Sequence, residues 1–438
     1  MKYFDAENTT FRGGEPAWAN ACVGDNGNPQ IYEYASGFAS AANVLLDEVI
    51  SRKGFNLHVD VFVYPICFNM RHAVELFLKS FVEYLARLGS LRGEMVSSVE
   101  ILKLHDLEKI WDWVKRYSGR FDRRYSSLVS ALDEHVLDIA KIDPTGQVFR
   151  YPFNLDSKKH LVDLALINVI VLKGRFGFLE KNLKELNRLN EKLSDEYGLG
   201  TFTAHLSRMQ LIEIAKLLPK KSEWALNDFD RVKVEIRKKY DLSSREFSKA
   251  LSLIQARHEM ASIIGLVVGI PEVDFEGLKI FFKHWFEMHD IERIKNPSDP
   301  MLVKFDDSEY SFDEMIAWNE KGVRSRDALL KAVSPEFVAS VRALYYFHRE
   351  NPYSEIFLKL LKIYRDEAAF AQKNKELHED GVMHLLEKVD GLESILNSLN
   401  FLGQGKLVES IIFEYGLEEV KARLLKVSEN KKSIIGIA

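Results

Sequence analysis

The chain has 438 residues, 46% hydrophobic and 29% charged, with 11 Pro and 24 Gly. That balance excludes disordered, collagen-like and low-complexity classes and suits two or three domains of roughly 100–200 residues each. A net charge of −5 and a pI near 6.2 exclude a surface that is basic throughout, so any nucleic-acid site must be local.

Two cysteines, Cys22 and Cys67, allow neither a disulfide framework nor a thiolate zinc cluster, and a reducing cytosol is expected. The first eight residues carry acid early and lack an apolar core of signal-peptide length. The longest nearly uncharged apolar run, Leu164 to Leu172, is shorter than the ~20 residues of a membrane span, so no membrane helix is expected.

Residues 1–30, rich in Gly, Asn and Pro, read as an irregular arm. Helical periodicity then predicts a first helix from about Tyr32 to Arg52 and a second from the Tyr64-Pro65 step to about Leu88, with Gly89 as its stop. Asp106 is the expected N-cap of a helix from Leu107 to Tyr117, and another covers roughly Phe121 to Lys141. Asp143-Pro144-Thr145-Gly146 breaks the pattern, and Val148 to Pro152 is the one strand-like segment. A long helix is predicted from Ser157 to about Glu196, buried before Leu172 and exposed after it, ending at Tyr197-Gly198-Leu199-Gly200.

The expected fold is all-α: an N-terminal helical bundle over 31–196 and a multi-helix region divided into 201–295 and 301–438 by Asn296-Pro297-Ser298-Asp299-Pro300. Capping boxes at Ser243-Ser244-Arg245-Glu246 and Ser311-Phe312-Asp313-Glu314, and Ser334-Pro335, mark helix starts. Leu385, Val389, Leu392, Leu396 and Leu399 form a short 4-3-4-3 seam whose expected use is packing within the domain.

In the second predicted helix Arg71, Glu75, Lys79, Glu83 and Arg87 recur every four residues with alternating sign, the pattern of a solvated stripe. Arg71 and His72 lie near its apolar start and His105 opens a later helix. A cluster of Arg71, His72, His105 and Arg150 at one bundle end is therefore the candidate ligand or nucleic-acid site.

The segments Arg71-His72-Ala73-Val74-Glu75-Leu76-Phe77-Leu78-Lys79 and His105-Asp106-Leu107, with Trp111 one turn further on, resemble the HEPN superfamily of helical bundles. The resemblance covers about residues 30–180. It implies a bundle of four or five helices of the kind found in prokaryotic toxin, abortive-infection and antiphage systems, many members being metal-independent ribonucleases that use Arg, four to six residues, then His. No Arg between His105 and Leu189 has a His at that spacing. Arg52 to His58 and Arg342 to His348 do, about as many matches as chance supplies, and Arg342 with His348 are the candidate catalytic pair because a helix opened by Ser334-Pro335 would hold both.

A basic helix carrying Arg231, Lys233, Arg237 and Lys238 precedes a tight turn and a second helix carrying Arg245, which is expected to run from Ser244 to about Ile264. These residues are candidates for phosphate contact, joined by Lys249 and Arg257 if they face outward. No metal or other cofactor is expected: Arg257-His258-Glu259-Met260 begins like H-E-x-x-H but has Ser262 where the second His must stand. His284 and His289 are five apart, off one helix face. The resulting expectation is a cytoplasmic prokaryotic stress or defence protein that binds nucleic acid or a regulatory ligand. The alternatives are a non-catalytic scaffold that uses helical faces for a protein partner or a second copy of itself, and a metal-independent ribonuclease.

Overall fold

The computed structural model describes residues 9–53, 58–154, 156–226, 228–295, 312–350, 353–371 and 375–435. The chain divides into two compact units, Met1–Gly200 and Thr201–Ala438, and both are helical.

Unit 1 contains α1 (Ile31–Ser51), α2 (Val59–Leu91), the short α3 (Val99–Lys103), α4 (Leu107–Phe121), α5 (Tyr125–Ile142) and α6 (Val169–Gly198). Helix α2 is central and packs against α1, α4 and α6. Small residues on α1 (Ala35, Ala39 and Ala42, then Leu46 and Val49) are buried at 4-3-4-3 spacing, a stripe that lets two helices approach closely.

Helix α2 begins earlier than the proline suggested, so Pro65 lies inside it. It also runs past Gly89, which is a close-approach position: a Cβ there would stand 2.6 Å from the Glu94 carbonyl oxygen and 2.9 Å from the Phe121 ring. The stop is Gly93, at φ +75°. Gly93 N–H bonds Ser90 O at 3.0 Å and Glu94 N–H bonds Gly89 O at 2.8 Å, the paired bonds of a left-handed helix end.

Among the described residues α2, and not the shorter run Leu164 to Leu172, is the one helix long and apolar enough to cross a membrane, contrary to the expectation of none. Half of its apolar window is buried inside unit 1.

The predicted long helix from Ser157 starts instead at Val169, where the Asn168 side chain accepts hydrogen bonds from Ile170 N at 2.9 Å and Val171 N at 3.1 Å. Residues 156–168 are irregular, with Ser157 at φ 59° and Leu161 at φ 57°. The apolar run expected to be buried is largely on the surface: Leu166 is 89% exposed and Ile170 68%. Val148 to Pro152 turns rather than extends, and the sole β-bridge among the described residues joins Phe153 to Lys159.

In unit 2, α7 (Arg208–Leu217), α8 (Asp228–Lys239), α9 (Ser244–Ala256) and α10 (His258–Ile263) surround one apolar core that includes Leu211, Ile214, Ile236, Phe247 and Ile254. A second core, centred on Phe281, Phe282, Trp285, Tyr345 and Ile395, is built by the helices that follow. These are α11 (Phe275–Met288), α12 (Ile291–Lys295), α13 (Phe312–Ala332), α14 (Pro335–Phe347), α15 (Ser354–Ala371), α16 (Lys375–Glu387), α17 (Gly391–Phe401), α18 (Gly405–Glu414), α19 (Lys421–Leu424) and α20 (Lys426–Ile434).

The Ser243–Glu246 capping box closes with both of its bonds, and Ser334 accepts from Phe337 N at 3.1 Å with Pro335 in the first turn. Ser311 and Asn296 to Pro300 lie outside the described residues. The leucine seam is divided between α16 and α17. Leu385, Leu392, Leu396 and Leu399 enter the second core, whereas Val389, in the break between the helices, is exposed.

Candidate functional site

Arg71 sits where α2, the start of α4 and the end of α5 meet, and it is 1% exposed. Its Nε donates to Asp143 O at 3.1 Å, Nη2 donates to Pro144 O at 2.8 Å and to His105 O, and Nη1 pairs with Glu75 Oε2. Glu75 Oε1 also holds Lys79 Nζ at 2.8 Å and His105 Nδ1 at 2.9 Å. Burial alone would raise the Glu75 carboxyl, but Lys79, Arg71 and His105 together hold it below its usual value.

The guanidinium thus ties the carbonyls of His105, Asp143 and Pro144, which flank the start of α4 and the end of α5, to α2. Asp143 completes the joint by accepting from Gly146 N, Gln147 N and Val148 N at 2.8, 2.9 and 3.2 Å. The solvated-stripe expectation therefore fails for Arg71, Glu75 and Lys79, which are buried, and holds only from Glu83 and Arg87 onward. Spacing every four residues fits either a wet stripe or a seam facing buried loop carbonyls. Nothing in the helix itself distinguishes them.

Of the predicted cluster, only the main chain and ring of His105 join Arg71 and Glu75. His72 instead packs between Phe38, at 4.4 Å, and Phe68, at 5.8 Å between ring centroids, and burial lowers its pKa despite Glu75. Arg150 lies over the same Phe68 at 5.5 Å and over Tyr151 at 5.4 Å.

Two cavities open on this side of the unit. One, of about 560 Å³, is bounded by the start of α2 and residues 148–167 and includes Asp60, Tyr64, Arg150, Lys159 and His160. The other, of about 340 Å³, is predominantly apolar and lies among α2, α5 and α6, with Met70, Ile139, Phe176 and Leu179 in its wall. Both share Phe149, Leu164, Leu166 and Ile167. Cys67 borders the apolar cavity as an inert thiol, pushed up to about 12 by burial and, less, by Asp143.

In unit 2 the predicted helix-turn-helix segment forms. Tyr240, Asp241, Leu242 and Ser243 join α8 to α9, with Asp241 at φ 51° and Arg237 Nε donating to Leu242 O at 3.2 Å. Arg231 approaches Glu235 at 3.6 Å, and Lys233 bonds Asp230 at 2.8 Å while lying over Phe229. Lys238, Arg245 and Lys249 are exposed and make no ion pair among the described residues. Helix α9 buries Phe247, Ala250 and Ile254 and exposes Ser244, Arg245, Ser248, Lys249 and Ser252 on the opposite side. It ends at Ala256, well before Ile264, because Arg257 is extended (ψ 121°) before α10 begins.

Arg257 consequently leaves the basic face and joins a buried network that the sequence did not reveal. Arg208, 2% exposed, pairs with both Glu259 and Glu355 and lies 4.8 Å over the Tyr353 ring. Arg257 Nε approaches Thr201 Oγ1 at 2.7 Å and Glu355 Oε1 at 3.1 Å. Burial raises Glu259, whereas the nearby Arg208 keeps Glu355 low in spite of burial. Burial also pushes the adjacent His258 imidazole down to about 4. The partial H-E-x-x-H match is explained: its His and Glu are interior structural groups.

Arg342 and His348 do not form one site. Arg342 lines a groove of about 830 Å³, bonds Glu367 at 2.9 Å and lies 4.3 Å over Tyr364. The histidine in that groove is His384, bonded to Tyr346 Oη at 2.9 Å. His348 is outside it, with burial and then Lys431 lowering its pKa. The other pair at this spacing is no better placed: Arg52 is engaged by Glu48, and His58 is the N-cap residue of α2.

Compared with known proteins, the chain matches no family model, and searches of curated proteins and of solved structures return no match.

Proposed function

We propose that this protein binds nucleic acid, without cleaving it, through the α7–α9 segment of unit 2. The observation that carries the reading is the outward face of α9: Arg245 and Lys249 make no ion pair among the described residues and stand among small serines, next to a tight turn that follows the exposed Lys238 and Lys239 at the end of α8. Residues 201–269 hold 12 Lys and Arg against 8 Asp and Glu, an excess of +4 inside a chain of −5. A local basic face supplies the phosphate contacts that non-specific binding requires, and the serines let the helix approach a groove closely.

The ribonuclease alternative loses its candidate pair, since Arg342 is held by Glu367 and Tyr364 while His348 lies elsewhere. A role in prokaryotic stress or phage defence, and kinship with the HEPN superfamily, stay within the proposal and rest on the short Arg71–Lys79 and His105–Leu107 segments alone. Both segments serve a structural joint here.

The test is fluorescence anisotropy of the full chain with a labelled 20-base-pair duplex across a salt series. Four contacting cations, Lys238, Lys239, Arg245 and Lys249, give a log–log salt slope of about −3.5 and an affinity loss of about a hundredfold between 50 and 200 mM salt. No binding at 50 mM salt, or binding insensitive to salt, overturns the proposal.

A further inference from the structure

We propose that the two adjoining cavities of unit 1 form a binding site for a single-chain amphiphile with an anionic head and an alkyl tail. The larger cavity receives the head. Its cations, Arg150 and Lys159, are exposed and make no ion pair among the described residues, so their charge is available to a ligand. His160 adds a buried Nε2 with no hydrogen-bond partner, and Asp60 is the sole carboxylate in the lining. A carboxylate or phosphate complements this set and a cation does not.

The tail enters the second cavity, whose volume of about 340 Å³ falls within the range of ligand pockets. Its wall of Met70, Ile139, Phe176 and Leu179 offers dispersion contacts. Of its lining charges, Arg175 and Asp138 are already paired at 2.8 Å, Arg175 also reaching Glu134 at 2.7 Å, and Arg71 is consumed by the joint described above.

The segment between the cavities supports the same reading. Leu164, Leu166 and Ile167 line both, Leu166 being largely exposed, and the nearby Leu161 of the head cavity is held at φ 57°, a conformation disfavoured for a bulky residue. An amphiphile lying across this wall would cover apolar side chains now facing water, which accounts for an apolar run placed where the fold does not bury it.

The site is independent of the nucleic-acid reading, because it lies in the other unit. Its test is titration calorimetry of the full chain with hexanoate, octanoate and decanoate below their micellar concentrations. The expected result is one site per chain, tightening about fourfold per methylene, with R150E/K159E weakening decanoate at least tenfold while its thermal unfolding is unchanged. A second variant, Ile139→Trp, fills the tail cavity and flattens the chain-length dependence while leaving the head site.

Absence of decanoate binding overturns the proposal. So does decanoate binding that R150E/K159E leaves intact, or an affinity that does not change with chain length. Cosedimentation with anionic phosphatidylglycerol vesicles in the absence of decanoate binding would assign this surface to a membrane face and equally overturn the proposal.

Discussion

Replacing Arg71 by methionine tests whether this residue is a structural joint or part of a site. The substitution keeps the volume roughly constant and removes four donated hydrogen bonds. Glu75 keeps Lys79 and His105, so its carboxylate is not stranded. The Pro144 carbonyl keeps Leu107 N at 3.0 Å. The carbonyls of His105 and Asp143 lose the guanidinium, at about 1.5 kcal/mol each for a buried unmade bond, with about 1 kcal/mol more for the lost ion-pair contact. The sum is about 4 kcal/mol, roughly a thousandfold in an opening equilibrium.

Hydrogen exchange read on peptides covering the start of α4 and the end of α5 measures that local opening directly. Arg71→Met is expected to accelerate exchange there by roughly two to three orders of magnitude. Arg87→Met, on the exposed part of the same helix, is expected to change it less than threefold. Arg71→Lys retains the charge without the planar fork and falls between them. Equal exchange in Arg71→Met and the parent protein would show that the joint contributes nothing and that the residue is free for another task.

Further predictions follow from the same geometry. Gly146→Ala places a Cβ 3.3 Å from the Arg71 Cζ at a backbone φ of +77° and is expected to destabilise unit 1 by about 1–2 kcal/mol, read by the same peptides. Asp143→Asn weakens acceptance from the three loop amides and costs about 1 kcal/mol in the same assay.

Acid sensitivity is expected in unit 2. Unfolded His258 titrates near its ordinary 6.5 and the folded residue near 4, so the unfolded state takes up the proton first as pH falls. The contribution, about 3 kcal/mol, is complete above pH 6.5 and lost progressively toward pH 4. Arg257 and Glu355 also act on His258, and the raised Glu259 titrates in the opposite sense. The check is therefore the difference between parent and His258→Gln in urea unfolding at pH 7 and pH 5, which should narrow the acid loss.

The sequence made helical elements legible wherever local chemistry decided them. Asp106, Ser243 and Ser334 cap the helices that their side chains promise. The run Leu164 to Leu172 departs from the expected buried helix because apolar periodicity does not distinguish such a helix from a surface strap with Asn168 as a cap. Arg71, Glu75 and Lys79 look solvated by spacing alone because what buries them, the carbonyls of His105, Asp143 and Pro144 around Arg71 and the His105 ring on Glu75, comes from other parts of the chain. Arg208, Glu259 and Glu355 were invisible for the same reason, being separated by 51 and 147 residues in sequence. Arg342 and His348 share helical spacing, yet tertiary packing brings His384 to the groove in place of His348.

The most direct measurement for the central claim is duplex affinity of the charge-reversed variant R245E/K249E, by anisotropy at 50 mM salt, beside R150E/K159E, which makes the same change of net charge in the other unit. Contact through α9 predicts at least a tenfold loss in R245E/K249E with a salt slope smaller by about 2, and little change in R150E/K159E. Equal losses in the two variants, or none in R245E/K249E, would contradict it.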